Sequence, residues 1–320
     1  MRRARGRRNI PAVPEHPVPS ARARELVRGG FDPYVHAAPD FAPRRITDLE
    51  LAARHLELGL AGFGLMSHYT ATAERAAVVN AAVGAPMAVG SIVLNHAVGG
   101  LNATAVEVAA RQGARFVWLP TVSSTGEFDK VERAQLHGNV PVWVRFEREL
   151  REAGAPPRAV PVLDAERAPL PALRAVLDVV ARHGLVLATG HLSRDEIFAV
   201  VDAAVDAGVE TVVVTNPEFP SHRVGPADQQ RLAERGAFFQ RALTTPYTGK
   251  CTWEHVFEAT RAVGAARTVW GSDLGQVFNP PAEDGLAILA DRFLAAGFSE
   301  EEIRVMAVEN TRRLAGLDGA

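Results

Sequence analysis

Residues 185–215 read LVLATGHLSRDEIFAVVDAAVDAGVETVVVT, and this stretch contains the repeating unit of the fold. Two apolar runs, Leu185–Thr189 and Thr211–Thr215, enclose an amphipathic segment of helical period. Ser193 is followed three residues later by a glutamate, the spacing of a helix capping box, and Gly208 suits the end of a helix. The stretch therefore predicts a strand, a helix and a second strand, which is the βαβ unit of a parallel sheet.

The same unit recurs along the chain from residue 30 onward. Eight units close a barrel more naturally than they build an open sheet, and the Gly-rich phosphate loop of the open doubly wound sheet does not follow the first strand. The sequence therefore predicts an α/β fold, a (β/α)8 TIM-like barrel. The eight predicted strands are Phe31–His36, Gly62–Ser67, Ala88–Asn95, Arg115–Pro120, Leu185–Thr189, Thr211–Thr215, Ala237–Arg241 and Thr268–Ser272.

Two parts of the chain depart from this repeat. Residues 1–20 combine arginines with prolines and predict a disordered arm, so that residues 21–320 form a single barrel domain. After the fourth strand, residues 123–184 predict an insertion with an extra strand at Val140–Phe146 and a helix at Leu170–His183. A lid, a subunit contact in a homodimer and an ordinary decoration all fit this insertion.

The composition narrows the classes of function. A net charge of −2 gives no basic field for nucleic acid or for an anionic membrane, so we expect a small-molecule substrate. The single cysteine, Cys251, excludes an internal disulfide framework and a cysteine zinc cluster, which need several sulfurs. The sequence contains neither an apolar run of membrane-spanning length nor a signal-peptide pattern, and we expect a soluble cytoplasmic protein.

Polar side chains follow the predicted strands at their carboxyl ends. In a parallel barrel these ends meet at one mouth, where active sites form. Asp32, Tyr34 and His36 share a face of the first strand because residues two apart on a strand point the same way. Imidazole and carboxylate groups that converge at the mouth would suit a zinc-type cation. The polar residues at the other strand ends are Ser67, His68, Asn95, His96, Thr121, Thr189, His191, Asn216, His222, Gln240, Arg241, Ser272 and Asp273.

Several short motifs resemble those of a known group of proteins. Their order and spacing are similar to the amidohydrolase superfamily and its polymerase-and-histidinol-phosphatase relatives, and the resemblance is strongest to an uncharacterised bacterial branch. It covers residues 31 to about 316. The motifs are HAAP at 36–39, SHY at 67–69, VGGLN at 98–102, ATGHLS at 188–193, NPEFP at 216–220 and SDLGQ at 272–276.

The resemblance implies a metal-dependent hydrolase that cleaves an amide, ester, lactone or related C–N or C–O bond of a small molecule. One divalent metal ion, zinc in the first place, would lower the pKa of a bound water toward neutrality and polarise the bond that breaks. The ligands that the resemblance implies are His36, His191 and Asp273, with His68 as a further ligand. Asp273 is alternatively the base that orients the attacking water.

Three positions depart from the pattern of the superfamily. Tyr34 replaces the first histidine of a His-x-His pair, Asn216 replaces the sixth-strand histidine, and Gln240 stands where a glutamate is expected. A phenol that ionises at about pH 10 and two amides bind a cation poorly. A second interpretation therefore stays open, in which no metal is bound and Tyr34, His191 and Asp273 supply acid and base for a lyase, isomerase or cyclase. The third is a barrel that binds a ligand without turnover.

Five further polar residues are assigned to the substrate. Guanidinium groups bind carboxylates and phosphates with two parallel hydrogen bonds, so arginines at the mouth predict an anionic substrate. A histidine in the loop after the sixth strand would swing over the site in place of the missing one. The assigned residues are Asn95, Gln240, Arg241, Arg44 and His222.

Overall fold

The computed structural model describes residues 16–133 and 142–317, and these contain a sheet of eight parallel strands. Each strand pairs with its neighbours in sequence order from the first to the eighth. All eight predicted strands are confirmed, with shifts of at most two residues at their ends. The strands are β1 (Phe31–Val35), β2 (Gly62–Leu65), β3 (Ala88–Val93), β4 (Ala114–Trp118), β5 (Val186–Ala188), β6 (Thr211–Thr215), β7 (Phe238–Ala242) and β8 (Thr268–Gly271).

Helices alternate with these strands. No helix among the described residues combines the length and the apolar character that a membrane span requires. A π-helical segment, Val305–Glu309, joins the last two helices. The helices are α1 (Ala21–Leu26), α2 (Asp48–Leu58), α3 (Ala73–Val83), α4 (Ala103–Arg111), α5 (Thr125–Arg133), α6 (Val142–Glu152), α7 (Pro171–Arg182), α8 (Arg194–Asp206), α9 (Pro226–Glu234), α10 (Thr244–Tyr247), α11 (Trp253–Val263), α12 (Gly285–Ala295), α13 (Glu300–Arg304) and α14 (Asn310–Ala315).

The sheet returns on itself where β8 meets β1. Val35 and Leu274 form a parallel bridge. The backbone N–H of His36 donates to the Leu274 carbonyl over 2.8 Å, and the N–H of Asp273 donates to the Tyr34 carbonyl over 2.8 Å. These contacts make a nearly closed barrel, which confirms the predicted (β/α)8 architecture.

The core has two layers because alternate strand residues face opposite sides of the barrel wall. On β4, Val117 packs among apolar residues of the surrounding helices, whereas Phe116 and Trp118 pack in a separate cluster. That inner cluster fills the barrel and includes Leu314 from α14 at one end. Its buried residues are Phe31, Tyr34, Met66, Val93, Phe116, Trp118, Val186, Ala188, Val213, Phe238, Val269, Leu314 and Ala315.

Helix starts follow the local signals in the sequence. Thr47, Ser193 and Ser299 each form a complete capping box with the glutamate three residues later. Pro226 is the first residue of α9, where its fixed φ suits the first turn and its missing N–H costs no hydrogen bond. These helices therefore begin where short-range chemistry predicts.

The long connection after β4 contains helices and not the predicted extra strand. The prediction of a strand at Val140–Phe146 is wrong over its described part, since residues 142–152 form α6. Apolar residues at 142, 144 and 146 alternate as in a strand, but the side chains turned away from solvent recur at helical spacing. The residues of α6 with reduced exposure are Trp143, Val144, Phe146, Glu147, Leu150 and Arg151. The helix predicted at Leu170–His183 is confirmed as α7.

Most of the predicted N-terminal arm lies outside the described residues, which begin at residue 16. Its last residue, Ser20, belongs to the folded domain. The Ser20 hydroxyl accepts the N–H of Ala23 as the cap of α1, and its own N–H donates to Asp291 over 2.8 Å. His16 lies beside α10, with Nδ1 3.0 Å from the Tyr247 hydroxyl.

Candidate active site

The junction of β1 and β8 places His36 beside Asp273 at the mouth of the barrel. His36 is buried directly after β1, and its Nε2 lies 3.3 Å from Oδ1 of Asp273. Gly275 makes this approach possible: a Cβ at that position would lie 1.6 Å from the His36 carbonyl oxygen, and its φ of +125° favours glycine. The turn after β8 can therefore pass directly against His36.

Asp273 carries a negative charge at neutral pH. Burial alone would raise its pKa, but the bonds from His36 and Thr244 and the charge of Lys250 outweigh burial, so the pKa of Asp273 lies below its usual value. The Thr244 hydroxyl donates to Oδ2 over 2.6 Å. The side chain is still 18% exposed. The mouth therefore contains a carboxylate in a fixed orientation that remains accessible to a small molecule.

A buried arginine lies on the other side of His36. Nη2 of Arg44 is 3.3 Å from Nδ1 of His36, and the same guanidinium forms a 2.6 Å ion pair with Asp40. A guanidinium only donates hydrogen bonds, so Nδ1 of His36 is an acceptor and the ring proton is on Nε2. Burial and the charge of Arg44 lower the pKa of His36. The ring is therefore neutral, and its N–H faces Asp273.

Tyr34 lies next to this pair inside the barrel. Its ring centroid is 4.6 Å from that of Trp118 and 5.5 Å from that of His36. Burial, followed by the charge of Asp273, raises the pKa of the phenol well above its usual value. Tyr34 therefore stays protonated and can donate a hydrogen bond.

Gln240 faces the interior of the barrel, where it lines a small cavity with Trp118. Oε1 of Gln240 and Nε1 of Trp118 are buried and have no hydrogen-bond partner within the described part of the chain. The substrate role predicted for Gln240 would require a ligand to reach this depth.

His68 belongs to a polar network that fixes the loops after β2, β3 and β4. Its Nδ1 lies 2.8 Å from the Thr121 hydroxyl. The Asn95 amide donates to that hydroxyl over 2.7 Å and to the His68 carbonyl over 2.9 Å, while its oxygen accepts the N–H groups of Thr121 and Ser123. Asn95, which was assigned to the substrate, thus uses its polar atoms within the protein. Burial lowers the pKa of His68, which keeps the ring neutral.

His191 follows β5 and stands among three other rings. The ring centroids of Phe219, His222 and His68 lie 5.9, 5.7 and 6.3 Å from its own. His222 is buried, and its Nδ1 lies 2.9 Å from the Asn216 carbonyl, so Nδ1 carries the proton. Burial lowers the pKa of His222 to about 3. Its Nε2 is a buried lone pair with no hydrogen-bond partner among the residues described.

The structure thus brings together most of the residues predicted for the site. They form a row around the mouth in the order Asp273, His36, His68, His191 and His222. The first two are joined by the 3.3 Å contact, and successive ring centroids along the histidines are 5.2, 6.3 and 5.7 Å apart. Separate strands contribute these residues, so only the closed barrel brings them together.

Arg241 lies elsewhere. It forms a fully buried ion pair with Glu218 and donates to Gln229 of α9 over 2.8 Å. Because Gln240 faces the interior, the next residue on β7 faces the surrounding helices. The predicted position of Arg241 at the mouth therefore differs from the observed one, and its guanidinium is already paired inside the helical layer.

Sequence reasoning missed two residues of the site, Asp40 and Thr244. Asp40 precedes Arg44 by four residues and neutralises it, and Thr244 comes two residues after β7. The only available signal was a polar residue near a strand end or near an arginine. That signal is too common to identify either residue without the fold.

The described residues do not fit the predicted metal centre. Within residues 16–133 and 142–317, no group of three or more His, Cys, Asp or Glu side chains is placed to hold a metal ion. A zinc ligand must offer a lone pair at about 2 Å from the metal. Nδ1 of His36 accepts from Arg44, its Nε2 carries the proton, and the carboxylate of Asp273 is bonded to His36 and Thr244.

Comparison with known proteins identifies the family. Residues 29–240 match a family described as a family of unknown function, DUF6282. The chain belongs to the DUF6282 family. No curated protein sequence matches it.

Several solved structures share the fold of this DUF6282 member. An amidohydrolase from Pseudomonas aeruginosa is 14% identical, with a TM-score of 0.60 over 92% of this chain and 98% of the other. The probable dipeptidase PvdM from the same organism is 12% identical, with a TM-score of 0.58 over 92% and 97%. An organophosphorus hydrolase from Deinococcus radiodurans is 15% identical, with a TM-score of 0.55 over 92% and 94%. At the level of the fold, the expected resemblance to amidohydrolases is confirmed.

Proposed function

We propose that this DUF6282 protein is a hydrolase that cleaves an amide, ester, lactone or related bond of a small molecule held at the mouth of the barrel. The observation that carries the proposal is the row from Asp273 to His222, which combines an ionised carboxylate with imidazoles around one opening. The fold is that of an amidohydrolase, a probable dipeptidase and an organophosphorus hydrolase, which supports the same class of reaction.

Three residues share the chemistry in this proposal. Asp273 accepts a hydrogen bond from the attacking water and orients it. His191 takes a proton from that water as its oxygen bonds to the carbonyl carbon, and then gives the proton to the leaving nitrogen or oxygen as the C–N or C–O bond breaks. Tyr34, which stays protonated, donates a hydrogen bond to the oxygen on which negative charge develops.

An anionic substrate is part of the proposal. Lys250 is exposed at this side of the mouth, and its ammonium lies 4.6 Å from the ring centroid of Phe219, the ring stacked on His191. Its charge also acts on Asp273. A carboxylate or phosphate group of the substrate would therefore meet a cation at the rim. Arg44 is less available for this purpose because Asp40 neutralises it.

Zinc was the cofactor implied by the sequence resemblance, and it would supply an activated water. The poor fit of His36 and Asp273 to a metal argues against it, and the reaction above uses only groups of the chain. The other expectations from the sequence, a cytoplasmic location and a homodimer, remain part of the proposal.

A second candidate is a metal-free lyase, isomerase or cyclase that uses the same residues. The buried, protonated Tyr34 next to His36 favours it, since a phenol donor also suits the enol or enolate of an elimination. Reaction in water enriched in oxygen-18 separates the two candidates: a hydrolase places the label in the product, whereas an elimination or isomerisation does not. Ligand binding with no turnover of any substrate would support the non-catalytic alternative.

The test of the hydrolase proposal is a panel of p-nitrophenyl esters, lactones and dipeptides. We expect His191→Ala and Asp273→Asn each to reduce turnover about 100-fold or more, with unchanged circular dichroism. His96→Ala is the matched control, because His96 is exposed in the loop after β3 and lies outside the row. Wild-type turnover in Asp273→Asn would refute the proposed site.

A further inference from the structure

The guanidinium of Arg44 is a cation at the mouth of the barrel, and it lies beside His36, one of the ligands expected for a metal. Arg44 approaches Nδ1 of His36 to 3.3 Å, and its side chain is only 7% exposed. A zinc ion bound at that nitrogen would stand about 2.1 Å from it, on the same lone pair that the guanidinium uses. Arg44 and a metal ion are therefore mutually exclusive at Nδ1.

The other ring nitrogen of His36, Nε2, is also engaged in a hydrogen bond. The hydrogen bond from Arg44 makes Nδ1 an acceptor and leaves the single proton of the neutral ring on Nε2. Nε2 then points its proton at Oδ1 of Asp273, 3.3 Å away. Moving that proton to Nδ1, as a metal at Nε2 requires, would set an N–H against the guanidinium.

Asp40 anchors the arginine in this place. The Asp40 carboxylate accepts from Nε and Nη2 of Arg44, each over 2.6 Å, and also from the N–H of Phe41 over 2.7 Å. The Asp40 side chain is 3% exposed. Both arginine bonds end on Oδ2 of Asp40, whereas Oδ1 accepts the Phe41 N–H, so two bonds hold the guanidinium and the backbone holds the carboxylate.

We propose that Arg44 replaces the catalytic metal ion of this mouth and acts as a positioning residue. Anchored by Asp40, it holds His36 in the Nε2–H tautomer, and His36 in turn holds the carboxylate of Asp273. The chain of contacts runs Asp40, Arg44, His36, Asp273 and Thr244, and within it both ring nitrogens of His36 are engaged. The inference concerns metal binding and the tautomer of His36, so it does not depend on the reaction.

The experiment measures zinc binding and the His36 tautomer in tag-free protein. We expect the wild type, dialysed against zinc chloride and then against zinc-free buffer, to retain far less than one zinc per chain by elemental analysis. Nitrogen-15 correlation spectra of the imidazoles should show His36 as the Nε2–H tautomer. One zinc bound per chain with a shifted His36 signal, or the Nδ1–H tautomer, would overturn the proposal.

Removal of the guanidinium tests cause and effect. In Arg44→Met the lone pair at Nδ1 becomes free, and we expect the zinc dissociation constant to fall about tenfold or more, the effect of about 1.4 kcal/mol. Arg45→Met is the matched control, since Arg45 bonds to the carbonyls of Val277 and Asn279 and not to His36. Equal zinc affinity in all three proteins would overturn the role of Arg44. If Arg44→Met does not fold, the tautomer in the wild type decides the question.

Discussion

Asp32 has a carboxyl group that the fold buries where β8 meets β1. Oδ1 accepts the N–H groups of Tyr34 and Ser272 over 3.2 and 2.9 Å and so takes part in the seam between the two strands. Oδ2 has no hydrogen-bond partner in the described chain. Burial raises the pKa of Asp32 to about 7, because the ionised form has lost its hydration. The folded state therefore binds a proton here that the unfolded chain releases.

This gives a prediction for the pH dependence of stability. With a pKa of 3.8 in the unfolded chain and about 7 in the folded one, the free energy of unfolding should fall as the pH rises through this interval. The slope due to Asp32 is at most about 1.4 kcal/mol per pH unit. Asp32→Asn keeps the acceptor oxygen and removes the titration.

Urea unfolding of the wild type and Asp32→Asn at several pH values measures the effect. From pH 4 to pH 7 the free energy of unfolding of Asp32→Asn should exceed that of the wild type by a growing margin. Above pH 7 this margin should stay constant. A difference independent of pH would show that Asp32 does not titrate in the folded state within this interval.

At the scale of elements, α6 stands out because it reaches the mouth from an insertion. Its Phe146 packs against Phe41 in the loop after β1 and Tyr69 in the loop after β2, with ring centroids 5.1 Å apart in both cases. Phe41 and Tyr69 also contact each other at 4.5 Å. Three elements distant in sequence thus share one aromatic cluster, which holds α6 over the loops that contain Arg44 and His68.

Phe146→Ala should therefore loosen α6 without unfolding the barrel. An aromatic pair contributes about 0.5–1.5 kcal/mol beyond the burial of its surface, so loss of two pairs should speed limited proteolysis within α6 about tenfold or more. Val142→Ala is the control on the same helix, because Val142 is exposed. Equal cleavage of both variants would show that the aromatic cluster does not hold the helix.

At the scale of the whole molecule, closure of the barrel depends on a few backbone contacts at one seam. Unlike the pairs from β1 through β8, the last pairing uses an isolated bridge between Val35 and Leu274. The Asp32 side chain supplies an acceptor for the seam, and Gly275 lets the chain pass the His36 carbonyl. Closure and site assembly are therefore the same event, because His36 and Asp273 meet at this seam.

Gly275→Ala should disturb the whole barrel. Its Cβ has no room, so we expect a loss of about 3 kcal/mol in the free energy of unfolding together with loss of the contact between His36 and Asp273. Gly113→Ala is the control: Gly113 also has a positive φ, but a Cβ there would have no atom within 4 Å. This substitution should lower the free energy of unfolding by only about 1 kcal/mol. Thermal unfolding of both variants measures the difference. Equal losses would mean that the seam can rearrange around a methyl group.

The sequence alone predicted the positions of the strands and the starts of several helices, because short-range interactions determine both. Strand positions follow from apolar runs, and the starts of α2, α8 and α13 follow from capping boxes, since both signals lie within a few residues of each other. Alternation along a strand failed as a guide for residues 142–146, where three apolar residues at alternate positions also fit a helix. The prediction there lacked the tertiary contacts that decide which face is buried.

The tertiary structure decided which side chains meet and in which protonation state. The sequence grouped His36, His68, His191 and Asp273 because strand ends share one mouth, but it could not show that Arg44 occupies the lone pair of His36 or that Arg241 faces the helices. Those outcomes depend on contacts between residues far apart in the chain and on burial, which changes the energies of charged groups. Local sequence fixes the elements, whereas the chemistry of the mouth arises only when the barrel closes.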